Sequence, residues 1–373
     1  DRATNRPIYS RGFASIYGEW ETTDEARQEV ARTFHESLRF PWPKAPVQVV
    51  VKKRDARNAF REVWSTLVDP ESRFVTAAES APQGRVWTVF ENGPAAAKVD
   101  LLILGDGYSE AQLPKFHKDV ERLVKVLFEH EPFKSRRSDF NVRAIDLPTP
   151  KSGVNRPRTG DFRRTPLGVS YNIFDSERYA LTLDNRSVRD VAAAAPYDFL
   201  EILINEEHYG GGGIFNDHAT AAVDTAFAEY IFVHEFGHHF AALGDEYYTS
   251  DVAYETGAAD RPEPWEPNVT ALKDPASLKW KDLVESGTPV PTPWEKAAYE
   301  EKSREVQEKR RQLRAANAPE SEMNALLTSE REWSTAFFGK HAHAGKVGAF
   351  EGAAYEAKGL YRPEADCIMF SRD

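Results

Sequence analysis

One short segment of the 373-residue chain combines the residue types that a metal-dependent hydrolase needs. The sequence HEFGH runs from His234 to His238, so two histidines stand four residues apart and Glu235 follows the first of them. Residues four apart lie on one face of a helix, where both imidazoles can bind the same metal ion. Zinc lowers the pKa of a bound water toward about 7, and a neighbouring carboxylate can accept its proton. The spacing therefore predicts His234 and His238 as ligands of one catalytic Zn²⁺ ion and Glu235 as the general base.

A carboxylate close behind this motif is the expected third ligand. Asp245 and Glu246 follow Gly244, a residue well suited to end the helix. If the helix continued straight, Asp245 would lie about 10 Å beyond His238, so we expect the chain to reverse at Gly244. The short Asp245 side chain is then the nearest carboxylate and the predicted ligand, with Glu246 as the alternative. Otherwise Glu246 is expected to support a ligating histidine, and a salt-bridged helix terminus is the competing interpretation of the pair.

A glycine-rich segment, YGGGGIF at residues 209–215, follows an apolar run and precedes the motif. A glycine-rich edge strand beside a metal site would expose backbone donors and acceptors, along which an extended peptide could add as a further strand. We therefore take Gly211 and Gly212 as candidate substrate contacts. A flexible glycine loop is the alternative, and a nucleotide loop is not indicated because no Gly-Lys-Ser/Thr follows.

The elements that must position these residues point to an α/β (α+β) catalytic domain. Residues 221–243 are apolar almost all round, as is typical of a buried central helix. Strands are predicted at residues 99–104, 141–145 and 199–205, with an amphipathic helix at 109–128. Strands that alternate with helices predict a central sheet. We place the catalytic domain at residues 86–373, after a run of turn signals.

Two further regions are predicted outside this core. Residues 1–85 carry short β-like runs at 12–20, 37–42 and 47–51, which predict a small all-β, β-sandwich-like accessory domain; a helical turn within 23–34 is the competing signal. Residues 294–333 are highly charged and predict an exposed helical hairpin inserted into the catalytic domain.

Composition excludes some partners and leaves others open. The formal net charge of −11 gives no electrostatic reason to expect a nucleic acid partner. No apolar run reaches the roughly 18 residues of a transmembrane segment, and a single cysteine, Cys367, cannot form an intrachain disulfide. Nothing indicates an oligomeric state. Because the chain opens on Asp1 instead of Met, we expect that a signal peptide has been removed and that the protein is secreted, periplasmic or on a bacterial cell surface.

Several segments together resemble a bacterial metallopeptidase family, the one typified by the immunoglobulin A-cleaving peptidase. They read HEFGHHFAALGDEYY, VDLLILGDGYSE, YGGGGIF, VGAFEGAAY and GLYRPEADCIMF, and the resemblance spans about residues 98–369. The N-terminal part is similar to the accessory β domain of that family. The resemblance implies a zincin-like, metzincin-like catalytic domain in which Met369 forms a methionine turn beneath the metal. From the residues alone, Met369 could equally be an ordinary core methionine.

One departure from the metzincin pattern bears on the third ligand. Metzincins place glycine three residues after the second histidine and a ligand six residues after it, but this sequence has Ala241 and Gly244 there.

The leading hypothesis is a zinc-dependent endopeptidase that acts on a protein or peptide. A non-catalytic, zinc-containing adhesion module that binds a host protein or glycan is the main alternative. Glu235 argues against it, since a structural zinc site needs a fourth protein ligand and no base. A zinc hydrolase of non-peptide substrates is a third possibility, against which the glycine-rich strand argues.

Overall fold

The computed structural model describes residues 1–78, 81–249 and 262–372. A six-stranded mixed sheet forms its centre, in the order β3-β5-β4-β6-β8-β7. The strands are β3 (Arg85–Phe90), β4 (Val99–Asp106), β5 (Phe140–Asp146), β6 (Phe199–Ile204), β7 (Gly211–Ile214) and β8 (His218–Ala222). The four inner strands run parallel, and β3 and β7 are antiparallel edges. Predicted strands 99–104, 141–145 and 199–205 correspond to β4, β5 and β6, which confirms the mixed α/β class.

Helices cover both faces of this sheet. Helices α3 (Leu113–Leu127) and α5 (Ala228–Ala241) lie on one face, and α4 (Asn185–Ala192) lies on the other. Successive residues of β4 point to opposite faces of the sheet. Leu101 belongs to the apolar cluster formed with α3 and α5, whereas Leu102 belongs to the cluster formed with α4. Burial on both faces favours apolar side chains at successive positions, and this explains the continuous apolar run of β4.

Helix α5 is shorter than the apolar run that predicted it. The apolar run covers residues 221–243, but the helix begins at Ala228, after β8, and ends at Ala241. The chain reverses at Ala242, which has a left-handed φ of 55°, so the prediction that it reverses at Gly244 is wrong. The Ala242 amide donates to the carbonyl of His238 at 3.0 Å, and this bond ends the helix without a glycine. The Gly244 amide instead donates to Asn268 Oδ1 at 2.8 Å.

The N-terminal region contains helices as well as strands. Its elements are α1 (Ile16–Trp20), α2 (Asp24–Arg27), β1 (Val47–Arg54) and β2 (Phe60–Val68). Strands β1 and β2 form a two-stranded antiparallel hairpin. The predicted all-β, β-sandwich-like domain is therefore wrong except for the strand at 47–51. The Ser15 side chain accepts a hydrogen bond from the Gly18 amide and so starts α1 where a strand was predicted.

A helical hairpin occupies the charged segment near the C-terminus. It consists of α6 (Lys296–Ala315) and α7 (Glu320–Phe338), and the short strands β9 (Phe350–Ala353) and β10 (Glu356–Arg362) follow it. The hairpin is not merely an exposed insertion, because Val306 and Leu327 are almost completely buried. Aromatic residues of the hairpin also pack against Phe370, so its charged surface hides a narrow apolar stripe. Across the described residues, every helix is too short or too polar to cross a membrane.

Candidate active site

Three side chains from α5 and the turn after it converge on one point. The Nε2 atoms of His234 and His238 lie 3.1 Å apart. Asp245 Oδ1 lies 3.1 Å from the first and 3.2 Å from the second. The Glu235 carboxylate is also close, within 4.8 Å of both imidazoles. The reversal at Ala242 thus places Asp245 beside the two histidines.

The hydrogen bonds of the two imidazoles identify the tautomer of each neutral ring. His234 Nδ1 lies 2.8 Å from the carbonyl oxygen of Ile368, and His238 Nδ1 lies 2.5 Å from that of Leu243. A carbonyl oxygen can only accept, so both Nδ1 atoms carry the proton. In the neutral rings, each Nε2 therefore turns a lone pair toward the other and toward the Asp245 carboxylate.

This arrangement fits a divalent cation. Three ligands at about 2.0–2.1 Å from a tetrahedral zinc ion would lie about 3.3 Å from one another, close to the separations seen here. The short distances between these groups also affect the pKa of His238. Burial alone would lower the pKa of His238, but the Asp245 carboxylate beside it raises the pKa to about 9. The site attracts positive charge, and two imidazoles with one carboxylate are a known donor set of catalytic zinc.

Asp245 and Glu246 have different surroundings. The Tyr355 hydroxyl donates to Asp245 Oδ2 and leaves Oδ1 directed at the histidines. Glu246 is buried, and its oxygens accept from Asn268 Nδ2 at 2.9 Å and from the Cys367 thiol at 3.0 Å. Burial raises the pKa of Glu246 to about 7. The expectation that Glu246 supports a ligating histidine is therefore wrong, since other groups hold both of its oxygens.

Met369 lies directly beneath the motif. A Cβ atom on Gly237 would stand 3.1 Å from Met369 Sδ, so the glycine of HEFGH gives the methionine room. The carbonyl of Met369 accepts from the Glu246 amide at 2.9 Å, and the preceding residue, Ile368, holds His234. Met369 therefore lies where a methionine turn was predicted, although this position does not test its role.

Comparison with known proteins supplies the family. The sequence model described as IgA Peptidase M64 matches residues 88–373, and the one described as Peptidase M64 N-terminus matches residues 1–65. The chain belongs to the IgA peptidase M64 family. It is therefore a peptidase, as the resemblance of its motifs implied. No curated protein matches the chain significantly.

The glycine-rich strand β7 lies at the edge of the sheet beside the candidate metal ligands of this peptidase. Gly211 and Gly213 line the cleft above the site, whereas Gly212 faces Leu181 and Tyr179 on the other side. A Cβ atom on Gly211 would stand only 2.7 Å from Ile231 Cγ2, and one on Gly213 would collide with the Glu235 carbonyl. The glycines thus allow α5 to approach the strand closely.

The cleft has a volume of about 1330 Å³ and includes residues that the sequence did not indicate. Glu19 of α1 lies in it and accepts a hydrogen bond from the Tyr179 hydroxyl at 3.0 Å. Burial raises the pKa of Glu19, which also interacts with His238. Four arginines line another part of the wall: Arg178, Arg310, Arg314 and Arg372. No spacing in the sequence connects these residues with the HEFGH motif.

Proposed function

We propose that this M64 peptidase is a zinc-dependent endopeptidase with a zincin-like catalytic domain. His234, His238 and Asp245 are the proposed ligands of one catalytic Zn²⁺ ion, and Glu235 is the proposed general base. The observation that carries the proposal is the convergence of two imidazole lone pairs and one carboxylate oxygen within 3.2 Å, next to a second carboxylate. Asp245 is preferred to Glu246 because Asn268 and Cys367 already occupy the oxygens of Glu246.

A bound zinc ion would supply Lewis acidity, which polarises a substrate carbonyl and lowers the pKa of water. Glu235 then accepts a proton from the attacking water and returns it to the departing nitrogen of the peptide. Burial raises the pKa of Glu235, although the two adjacent histidines oppose this effect. A general base works best when its pKa is close to the working pH, so the raised pKa suits Glu235 to this role.

Strand β7 offers a backbone track for an extended substrate. The Gly211 amide and carbonyl point away from β8, because they bond to Arg178 and Ala180 on the outer side at 3.2 and 3.3 Å. Strand alternation directs the amide and carbonyl of Gly213 to the same side, where the cleft lies. An extended peptide could pair there as an added strand. We accordingly propose the backbone of Gly213 as a substrate contact. The loop at residues 178–180 already occupies the outer side of Gly211, so Gly211, like Gly212, which faces away, is proposed to support packing.

A zinc-containing adhesion module is the alternative function. It is disfavoured by Glu235, which has no purpose in a purely structural zinc site. We further propose that the peptidase acts outside the bacterial cytoplasm, on extracellular protein.

Cleavage of unfolded casein tests the proposal. Protein loaded with one equivalent of zinc should release fragments cut at internal bonds, and chelator-stripped protein should not. The Glu235→Gln variant is the control, because it should keep stoichiometric zinc and lose cleavage. Stoichiometric zinc in the wild type without cleavage of casein or of a peptide library would instead favour the adhesion module.

A further inference from the structure

Seven described arginines line the cleft, and four of them, which come from three separate parts of the chain, form one group. Arg178 belongs to the loop before α4, Arg310 and Arg314 to α6, and Arg372 follows the turn that contains Met369. All of them line the same cleft as His234 and Glu235. We call Arg178, Arg310, Arg314 and Arg372 the arginine wall.

Carboxylates only partly neutralise the arginine wall. Arg372 pairs with Glu330 at 2.6 Å, and Arg314 lies 3.4 Å from Glu177. The same Glu177 also lies 3.7 Å from Arg158, so its charge is shared. Among the described residues, Glu177 and Glu330 thus form ion pairs with two members of the wall, Arg314 and Arg372.

Arg310 is the most deeply buried of the four. It is only 5% exposed, and its one hydrogen bond joins Nη1 to the neutral amide of Gln307 at 3.2 Å. Its Nε has no hydrogen-bond partner, and no carboxylate lies within salt-bridge distance among the described residues. Burial and then the charges of the three other arginines lower the pKa of Arg310 to about 9. A buried cation without a counter-ion is costly, so the arrangement favours an incoming anion.

The arginine wall lies next to the proposed catalytic residues. The Arg178 guanidinium is 5.8 Å from the centre of the Tyr247 ring, and that ring stacks on His234 with centres 6.3 Å apart. Arg178 also acts electrostatically on Glu235, whose pKa it lowers. The arginine wall and the proposed catalytic residues thus line one continuous cleft, which a single substrate molecule could occupy.

We propose that the arginine wall is a substrate subsite that binds a carboxylate, with Arg310 as its central donor. This inference rests on the proposed peptidase function, and it assigns a preference for substrates with an acidic group near the cleaved bond. The planar guanidinium forms paired hydrogen bonds with a carboxylate, which a neutral amide cannot match. The carboxylate can come from an Asp or Glu side chain or from the C-terminus of the peptide.

Paired peptide libraries test this subsite. Two libraries of N-acetylated, C-terminally amidated decapeptides differ only in having Glu or Gln at the variable acidic position. Zinc-loaded wild type should cleave the Glu peptides with a kcat/KM about 10- to 100-fold higher, the factor that a charged hydrogen bond typically contributes. A third library with Gln and a free C-terminus identifies the source: an equal gain there means that the wall binds the terminal carboxylate.

Variants on the same helix link the preference to Arg310. Arg310→Gln should reduce the Glu-to-Gln ratio to within about 3-fold of one, and Arg310→Lys should retain part of it, since only charge remains. Arg311→Gln is the matched control, because Arg311 is 55% exposed and pairs with Glu308; it should keep the wild-type ratio. Thermal unfolding and zinc content verify that each variant folds.

Binding separates this inference from the proposed function. The zinc-loaded Glu235→Gln protein is titrated calorimetrically with the Glu and Gln peptides, and binding should favour Glu by the same factor in an Arg310-dependent way. If that holds but no peptide is cleaved, the peptidase mechanism fails and the subsite stands. Equal binding and cleavage of acidic and neutral peptides by the wild type, or a preference that Arg310→Gln leaves intact, would overturn the subsite.

Discussion

Two walls of the cleft hold opposite sets of groups. Around His234, His238 and Asp245, lone pairs crowd together in a way that a bound proton or a metal cation relieves. In the arginine wall, guanidinium groups crowd around Arg310 and call for an anion. Each set includes a buried residue, His234 in one and Arg310 in the other, and an unbalanced buried charge is costly. The comparison teaches that unsatisfied polar groups can point to ligands of either sign, here the proposed metal ion and the proposed substrate carboxylate.

The largest effect is expected from Glu235→Gln, which changes the cation-binding wall without removing a proposed ligand. Loss of a general base typically reduces the rate by about 10²–10⁴, and kcat for peptide cleavage should fall within this range. Zinc content, measured by atomic emission, should remain one ion per chain. A variant with full turnover would remove Glu235 from the mechanism.

A second prediction distinguishes the two neighbouring carboxylates. Asp245→Ala should weaken zinc binding by more than about 100-fold, because supporting residues typically contribute only about 10- to 100-fold. Glu246→Gln should change zinc affinity far less, since Glu246 contacts Asn268 and Cys367. Competition with a chelating dye measures both affinities. The reverse order of effects would make Glu246 the ligand.

The metal-site residues were easier to predict from the sequence than the arginine wall, because most of them lie close together along the chain. His234, Glu235 and His238 are neighbours on one helix, and helical spacing alone brings them together. Asp245 reaches the histidines only because the chain reverses after the helix, and a reversal was predicted from the distance along the helix axis. The reversal was predicted at Gly244 but occurs two residues earlier. Ala242 adopts the left-handed conformation there, which usually favours glycine. The inner strands β4, β5 and β6 were predicted from apolar runs, of which that of β4 is unbroken over residues 101–104, whereas β8, with His218 and Thr220, was not predicted.

The arginine wall had no such local signature. Its members come from a loop, α6 and the C-terminal segment, and only tertiary packing joins them. The charge of α6 predicted a solvated surface, yet Arg310 on that helix is almost completely buried. The β-like run of residues 12–20 misled for a related reason: Ser15 caps a short helix there, and capping by one side chain is weakly encoded in a pattern of apolar residues. Helix α2 lies within 23–34, where a helical turn was the competing signal.

A third and smaller effect is expected from Tyr355→Phe. The Tyr355 hydroxyl holds Asp245 Oδ2, so its removal frees the carboxylate to rotate away from the metal. We expect zinc affinity to fall about 10-fold, the lower end of what supporting residues contribute. Tyr361→Phe, on β10 and outside the cleft, is the control. No change in affinity would show that Asp245 is held in place by the backbone alone.

Glu201 is a third buried ionisable group, and among the described residues no basic side chain is hydrogen-bonded to it. Glu201 of β6 is fully buried, and neither of its carboxylate oxygens has a hydrogen-bond partner among the described residues. Burial, and then the charge of Glu235, raises its pKa well above the ordinary value of 4.5. Unlike the two walls, Glu201 can relieve its burial simply by remaining protonated.

The smallest predicted effect follows from this difference and concerns the pH dependence of stability. Above pH 4.5 the unfolded chain releases the Glu201 proton while the folded protein keeps it, so the free energy of unfolding falls as the pH rises toward the raised pKa. The contribution approaches about 1.4 kcal/mol per pH unit in that window and is absent below it. Glu201→Gln has no proton to release, so its denaturation midpoints should fall less steeply between pH 5 and 7, whereas exposed Glu322→Gln should follow the wild type. Identical slopes for Glu201→Gln and wild type would mean that Glu201 is ionised in the folded protein and has a cationic partner, as Asp245 is proposed to have.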